Sequence, residues 1–148
     1  AGFALPSERI GELTERFEAY ARRNLAPHDL VPLLRVDAEV ELDQMDWPVY
    51  EQLKRMEPFG MGNPTPVFVA RGLRLALPPR VVGEKHLKLK VANGARDWDA
   101  IGWRKGEQAK LLGPGDAIDV AFTLDENTWQ GMSSLQMVIK DLQMSGSR

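Results

Sequence analysis

Between Ser7 and Asn24 the apolar residues Ile10, Leu13, Phe17 and Tyr20 recur in alternating steps of three and four. That spacing predicts one amphipathic helix, with Pro6 and Ser7 at its start. A single helix cannot bury its own stripe, so this one is expected to dock on the following domain or on chain lying upstream of it, the second being favoured. A connector carrying Pro27 and Pro32 follows from Leu25 to Arg35, then a short strand from Val36 to Leu42. A second helix is predicted over Trp47 to Met56, with Asp46 as N-cap, Pro48 in the first turn, and Tyr50, Leu53 and Met56 on one side. Pro58 stops it, and Gly60, Gly62, Pro64 and Pro66 impose a shaped loop as far as Phe68.

Everything after that loop reads as strands. Val67 to Leu77 is apolar, with Gly72 as a bulge or bend. From His86 to Val91 the alternation is clean: Leu87, Leu89 and Val91 share one face, and His86, Lys88 and Lys90 the other. Asn93-Gly94 marks a tight hairpin turn into a third strand from about Arg96 to Trp103. Its inward set is either Trp98 with Ala100 or Ile101 with Trp103. A short helix is predicted over Arg104 to Leu112, ended by Gly113-Pro114-Gly115. Two strands follow, Ala117 to Leu124 and Leu135 to Leu142, joined by a loop carrying Asp125, Asn127 and Gly131. Three strands, a short helix and two strands is the order of a five-stranded OB-fold barrel. The fold class is therefore mainly β with flanking helices, the barrel preceded by an amphipathic helix and a helical linker.

The 148 residues suffice for one ordinary domain with a helical attachment. No apolar run approaches the roughly 20 residues of a membrane span, so the chain reads as soluble with no membrane partner. With neither an initiator Met nor a signal peptide, it reads as a piece of something longer. The absence of cysteine excludes disulfides, thiolate zinc sites and cysteine nucleophiles.

Candidate enzymatic chemistry is sparse. Gly60-Met61-Gly62-Asn63-Pro64 lacks the preceding strand, following helix and third glycine of a dinucleotide loop, and reads as a rigid linker. The two histidines have no ligand-like neighbours at helical spacing, and His28 reads as connector. Asp37, Glu39, Glu41 and Asp43 alternate along the predicted first strand and read as a solvated face in preference to a magnesium cluster. Ser133 and Ser134 lack a nearby base and read as turn residues. No metal, cofactor or catalytic residue is expected in this chain.

Charge distribution is more informative. Lys and Arg number 19 against 21 Asp and Glu, giving a net charge of −2 and no global pull toward nucleic acid. Yet residues 71–110 hold ten basic and four acidic side chains, leaving nine against seventeen for the remainder. This basic segment covers the first three strands, the face on which OB barrels take single-stranded nucleic acid. Lys88 and Lys90 are the leading candidates for phosphate contact. His86 shares their face, and Arg74, Lys85, Arg96, Arg104 and Lys105 extend the stripe. Bases stack on flat side chains at roughly 1 to 3 kcal/mol each. Trp98 and Trp129 are the candidate platforms, while Trp103 is read as barrel core.

The run Glu57-Pro58-Phe59-Gly60-Met61-Gly62-Asn63-Pro64-Thr65-Pro66-Val67-Phe68 resembles the C-terminal part of the RecJ family, single-strand-specific DNA exonucleases of bacteria. Supporting similarities are His86-Leu87-Lys88-Leu89-Lys90, Asp99-Ala100-Ile101, Asp119-Val120-Ala121-Phe122 and the stretch Ser134 through Leu142. Ala1-Gly2-Phe3 resembles the end of the glycine-rich motif of that family's DHHA1 domain. The resemblance implies three parts: a terminal DHHA1 helix over 1–25, a linker with its own strand and helix over 26–65, and an OB domain over 66–148. It also implies a parent enzyme that degrades single-stranded DNA from the 5′ end in recombination and repair, in the cytoplasm. Hydrolysis would lie in an upstream DHH domain holding manganese or magnesium. The fragment itself is expected to be inactive, to bind single-stranded DNA, and to pack on the DHH and DHHA1 domains. Single-strand-binding protein is a candidate further partner. The alternative is a structural or protein-docking OB module that binds no nucleic acid itself.

Overall fold

The computed structural model describes residues 2, 4–94 and 96–146, which form two compact units, 1–34 and 35–148. In the first unit a 3-10 turn at Ser7–Arg9 runs into helix α1, Ile10–Asn24, and a second 3-10 turn covers Pro27–Leu30. Ile10, Phe17 and Tyr20 share the expected stripe and are exposed. On the polar side Glu12 pairs with Arg9 and Arg16, and Glu18 with Arg22, the three- and four-residue spacings that support an exposed helix. Of the predicted Ala1-Gly2-Phe3 motif, Ala1 and Phe3 lie outside the described residues.

The second unit begins with β1, shortened to Ala38–Glu39 and parallel to the later strand β2. The predicted strand ends early because the chain turns into a 3-10 helix at Leu42–Gln44, burying Leu42 and Met45. Helix α2, Trp47–Lys54, starts where predicted: the Asp46 carboxylate accepts the Val49 N–H at 3.0 Å. In the glycine- and proline-rich loop the Asn63 side-chain amide donates to the Met56 and Pro58 carbonyls at 2.7 and 3.1 Å, which fixes its shape.

Six strands follow: β2 (Phe68–Leu75), β3 (Arg80–Val82), β4 (His86–Ala92), β5 (Asp97–Gly102), β6 (Ala117–Trp129) and β7 (Met132–Met144). Strands β2, β4, β5, β7 and β6 pair in that cyclic order. The β5–β7 pairing is parallel, and a short β2–β4 pairing at Arg74↔Ala92 and Leu75↔Val91 closes the ring. This is the connectivity expected of an OB fold. Gly72, at φ +64°, forms the predicted bulge in β2, where the register against β6 shifts between Ala70 and Leu73. The Asp119 carboxylate holds the bulge by accepting the Gly72 N–H at 3.0 Å.

Several elements depart from expectation. Strand β3 was absent from the predicted set, since three residues are too few to show a period. The predicted loop after Leu124 is instead a long hairpin: β6 and β7 stay paired through Glu126↔Leu135 and Asn127↔Ser134 to Trp129↔Met132. Its turn is Gln130–Gly131, both at positive φ. Its apolar residues, Trp129, Met132 and Leu135, are too few to show an alternation, so no period marked it as strand. Ser133 and Ser134 therefore sit on a strand. The predicted short helix is a 3-10 helix over Gly106–Leu111, and the Asn93-Gly94 turn is followed by Ala95, outside the described residues.

The core joins Leu73, Leu87, Leu89, Val91, Ile118, Val120, Phe122, Met137 and Ile139 with Leu42, Met45 and Tyr50. The segment read as linker is thus divided. From Arg35 onward it belongs to the same compact unit as the strands.

Candidate nucleic-acid interface

Strand β4 sets the interface. Leu87, Leu89 and Val91 are buried inward, which turns His86, Lys88 and Lys90 outward. Directly paired residues on adjacent strands point to the same side. Arg80 on β3 therefore lies beside Lys88, while Ile101 and Asp99 on β5 lie beside Lys88 and Lys90. Asp99 accepts an ion pair from Lys90 at 3.6 Å, leaving Lys88 and Arg80 as the unneutralised pair of this face among the described residues. The turn before β3 approaches the same cations, with Leu77 and Pro78 beside Arg80, Lys88 and Lys90.

The β4–β5 register settles the facing that the sequence left open: Trp98 pairs with Val91 and turns in, while Trp103 lies in the turn just past β5. Trp98 is 4% exposed and packs in the core, so it presents no open ring to a base. Its outer partner is Arg96, whose guanidinium lies 4.4 Å from the ring centroid and donates to the Met45 carbonyl at 2.6 Å. Arg96 is thus engaged in tying β5 to the segment before α2. Trp103, read as core, is 57% exposed. Its ring meets His86 edge to face, centroids 4.7 Å apart and planes at 82°. The next residue, Arg104, has φ +58°, a costly conformation for a side-chain-bearing residue. Its N–H donates to His86 Nδ1 at 3.0 Å, which fixes the turn that presents the indole.

The remaining predicted residues spread around this centre. Arg104 is exposed beside Trp103, and Lys105 lays its stem against Gly102. Lys85 is exposed in the β3–β4 turn, where its carbonyl accepts the Gly106 N–H at 3.0 Å. Arg74 is exposed at the β2–β4 seam. Trp129 is 69% exposed at the hairpin tip, opposite exposed Met132. Sequence reasoning missed Arg80, whose role appears only through its pairing with Lys88, and Lys140, which lines a cleft with Trp103.

Two further groups have shifted titration. Burial would raise the Asp119 carboxyl, but hydrogen bonds from Ser145 Oγ, the Gly72 N–H, Gln143 and Arg71 hold it below the usual aspartate range. Its partner Arg71 is raised chiefly by the hydrogen bond and charge of Glu39.

A family model for the RecJ OB domain matches residues 36–141. The chain belongs to the RecJ OB domain family. Single-stranded-DNA-specific exonuclease RecJ from Bacillus subtilis is 27% identical over 146 residues, 98% of this chain and 19% of that protein. The Thermus thermophilus RecJ is 34% identical over 143 residues, 96% of this chain and 20% of that protein. The crystal structure of Thermus thermophilus RecJ in complex with Mn2+ matches with a TM-score of 0.73 at 28% identity, covering 99% of this chain and 21% of that one. The chain thus spans about a fifth of the length of these RecJ relatives.

Solved RecJ structures hold Mn2+ or Mg2+. The residues of this RecJ OB domain do not fit such an ion, because among the described residues no three His, Asp or Glu side chains converge. The acidic residues of the first strand have other work: Asp37 accepts the Val67 N–H, Glu39 pairs with Arg71, and Glu41 accepts from Asn93.

Proposed function

We propose that this chain grips single-stranded DNA for a RecJ-type exonuclease whose hydrolytic centre lies in other domains. The observation that carries the reading is the outward face of β3 and β4, where Arg80 pairs with Lys88 and, two residues along β4, His86 braces the exposed indole of Trp103. Cations that follow a phosphate backbone combined with a flat ring for stacking suit a flexible strand with unstacked bases and disfavour a stiff duplex. Such a face binds with little sequence preference from the backbone and weakens as salt rises.

In this reading the parent enzyme degrades DNA from the 5′ end in recombination and repair, using manganese or magnesium held by an upstream DHH domain in the cytoplasm. The fragment alone performs no hydrolysis. Its exposed α1 stripe packs on upstream DHHA1 structure, and single-strand-binding protein is a further partner of the parent.

The test is a titration of tryptophan fluorescence with a single-stranded oligonucleotide and with the matching duplex, at low and moderate salt. Salt-sensitive quenching by the single strand alone is expected, and Lys88→Glu should abolish it. Absence of binding to either at low salt would overturn the reading in favour of a structural or protein-docking module.

A further inference from the structure

A cleft of about 360 Å3 opens between α2, the loop that follows it and the outer side of β6 and β7. That size lies at the lower end of the range for small-molecule pockets, roughly 300 to 1,000 Å3. Resting on the single-stranded DNA reading above, we propose that this cleft receives one unstacked base of the bound strand and prefers bases carrying an exocyclic amine.

Continuity is the first argument. Trp103 lines the cleft and also packs on His86 of the basic face, so a strand lying along Lys88 and stacked at Trp103 has its next base at the cleft mouth. Phe59 supplies a second aromatic wall, and the outward-facing Val138 and Thr123, both buried, line it from the strands.

The polar lining chooses the ligand. Lys54 and Lys140 bring donors, while Glu57 and Asp125 bring acceptors. None of the four enters a salt bridge among the described residues. Asp125 uses one oxygen to accept the Glu126 N–H, and Lys54 sits 5.7 Å from the Tyr50 ring centroid. Two positive and two negative groups give no net attraction for a phosphate. They match a neutral planar group whose edge carries both donors and acceptors, which describes a nucleobase. Cytosine, adenine and guanine can each donate an exocyclic amine to a carboxylate, whereas thymine offers only its ring N3–H, flanked by two carbonyl oxygens that repel the carboxylate. The Tyr50 phenol, raised by burial and then by the Asp125 charge, stays protonated beside them.

The experiment compares anisotropy titrations of the whole chain with equal-length, end-labelled oligo-dC and oligo-dT at neutral pH and low salt. Binding of oligo-dC about tenfold tighter is expected, the discrimination of one charge-assisted hydrogen bond. Glu57→Gln combined with Asp125→Asn should bring the two affinities together, the ratio being the readout because loss of two negative charges tightens both oligomers alike. Both side chains are exposed, and an unchanged unfolding midpoint verifies that the variant folds. Equal affinities in the unsubstituted chain, or a dC preference that survives the double substitution, would overturn the cleft assignment and leave the single-stranded DNA reading standing. Failure of both oligomers to bind would overturn that reading and the cleft with it.

Discussion

His86 holds Trp103 from two sides: its ring packs edge to face on the indole, and its Nδ1 accepts the N–H of Arg104, the residue that turns the chain away. An exposed tryptophan ordinarily samples several rotamers, and ordering it on ligand binding costs free energy. Here much of that ordering is already present before a base arrives. His86→Ala removes one aromatic contact and one hydrogen bond, so a loss of about 1 to 2 kcal/mol in urea unfolding is expected. Oligonucleotide affinity should fall by less than in Trp103→Ala, which deletes the stacking surface and should weaken binding about tenfold or more. Equal affinity in His86→Ala and the unsubstituted chain would show that the brace has no role in binding.

The two lysines of β4 should not behave alike. Lys90 is partly neutralised by Asp99, whereas Lys88 faces Ile101 and Arg80. Lys88→Gln is expected to weaken single-strand binding more than Lys90→Gln, and to reduce the salt slope by about 0.7, the value for one lost phosphate contact on a single strand. Asp99→Asn should tighten binding by releasing Lys90. Affinities measured across a salt series check all three.

Trp98 and Trp103 make an opposed pair of controls. Trp98→Ala empties a core site and should cost about 3 to 5 kcal/mol of stability. Trp98→Phe removes a buried Nε1–H that has no partner among the described residues, and should cost less than about 1.5 kcal/mol. DNA affinity of the folded Phe variant should be unchanged, as anisotropy would register.

Asp119 sets an acid limb on stability. Its folded value lies below the usual 3.8, so the stability it contributes is fully present above that pH and is lost as pH falls through the folded value. Asp119→Ala strips the β2 bulge of its anchor and should cost about 1 to 3 kcal/mol at neutral pH. The difference between the two proteins should shrink below about pH 4, which unfolding curves at pH 7 and pH 3 would measure.

Gly106 is required for a close approach. A Cβ there would meet the Lys85 carbonyl carbon at 3.0 Å and Val81 Cγ1 at 3.1 Å. Gly106→Ala should push the 3-10 helix off the β3–β4 turn at about 1 to 3 kcal/mol, seen as a lower unfolding midpoint.

The sequence reading succeeded where one period dominated. From His86 to Val91 every second residue is aliphatic and the others are charged or His, so the outward position of Lys88 and Lys90 was legible without a partner strand. In β5 the two alternations, Trp98 with Ala100 and Asp99 with Ile101, both carry apolar residues; pairing with β4 turns Trp98 in, and Trp103 is exposed because β5 ends at Gly102 and the chain turns. Arg80 was illegible for the same reason: its value lies in standing opposite Lys88, a relation between strands. The hairpin beyond Leu124 was hidden because its outer pairs, Thr128↔Ser133 and Trp129↔Met132, are exposed and held by backbone pairing, which leaves no apolar period. Arg96 looked like one more cation in a basic run; the carbonyls it binds come from fifty residues away.

Leu42, Met45 and Tyr50 share one core with the ring, so the fold is not complete at the first residue of β2. A chain trimmed to begin at residue 66 would expose the aliphatic surface these three side chains cover, and would be expected to aggregate. The portable cassette instead begins near Arg35, about thirty residues before the first strand of the ring. Grafting this module onto another enzyme, or exchanging it between relatives, has to carry α2 and its flanking loop along, and with them the aromatic and charged lining of the cleft.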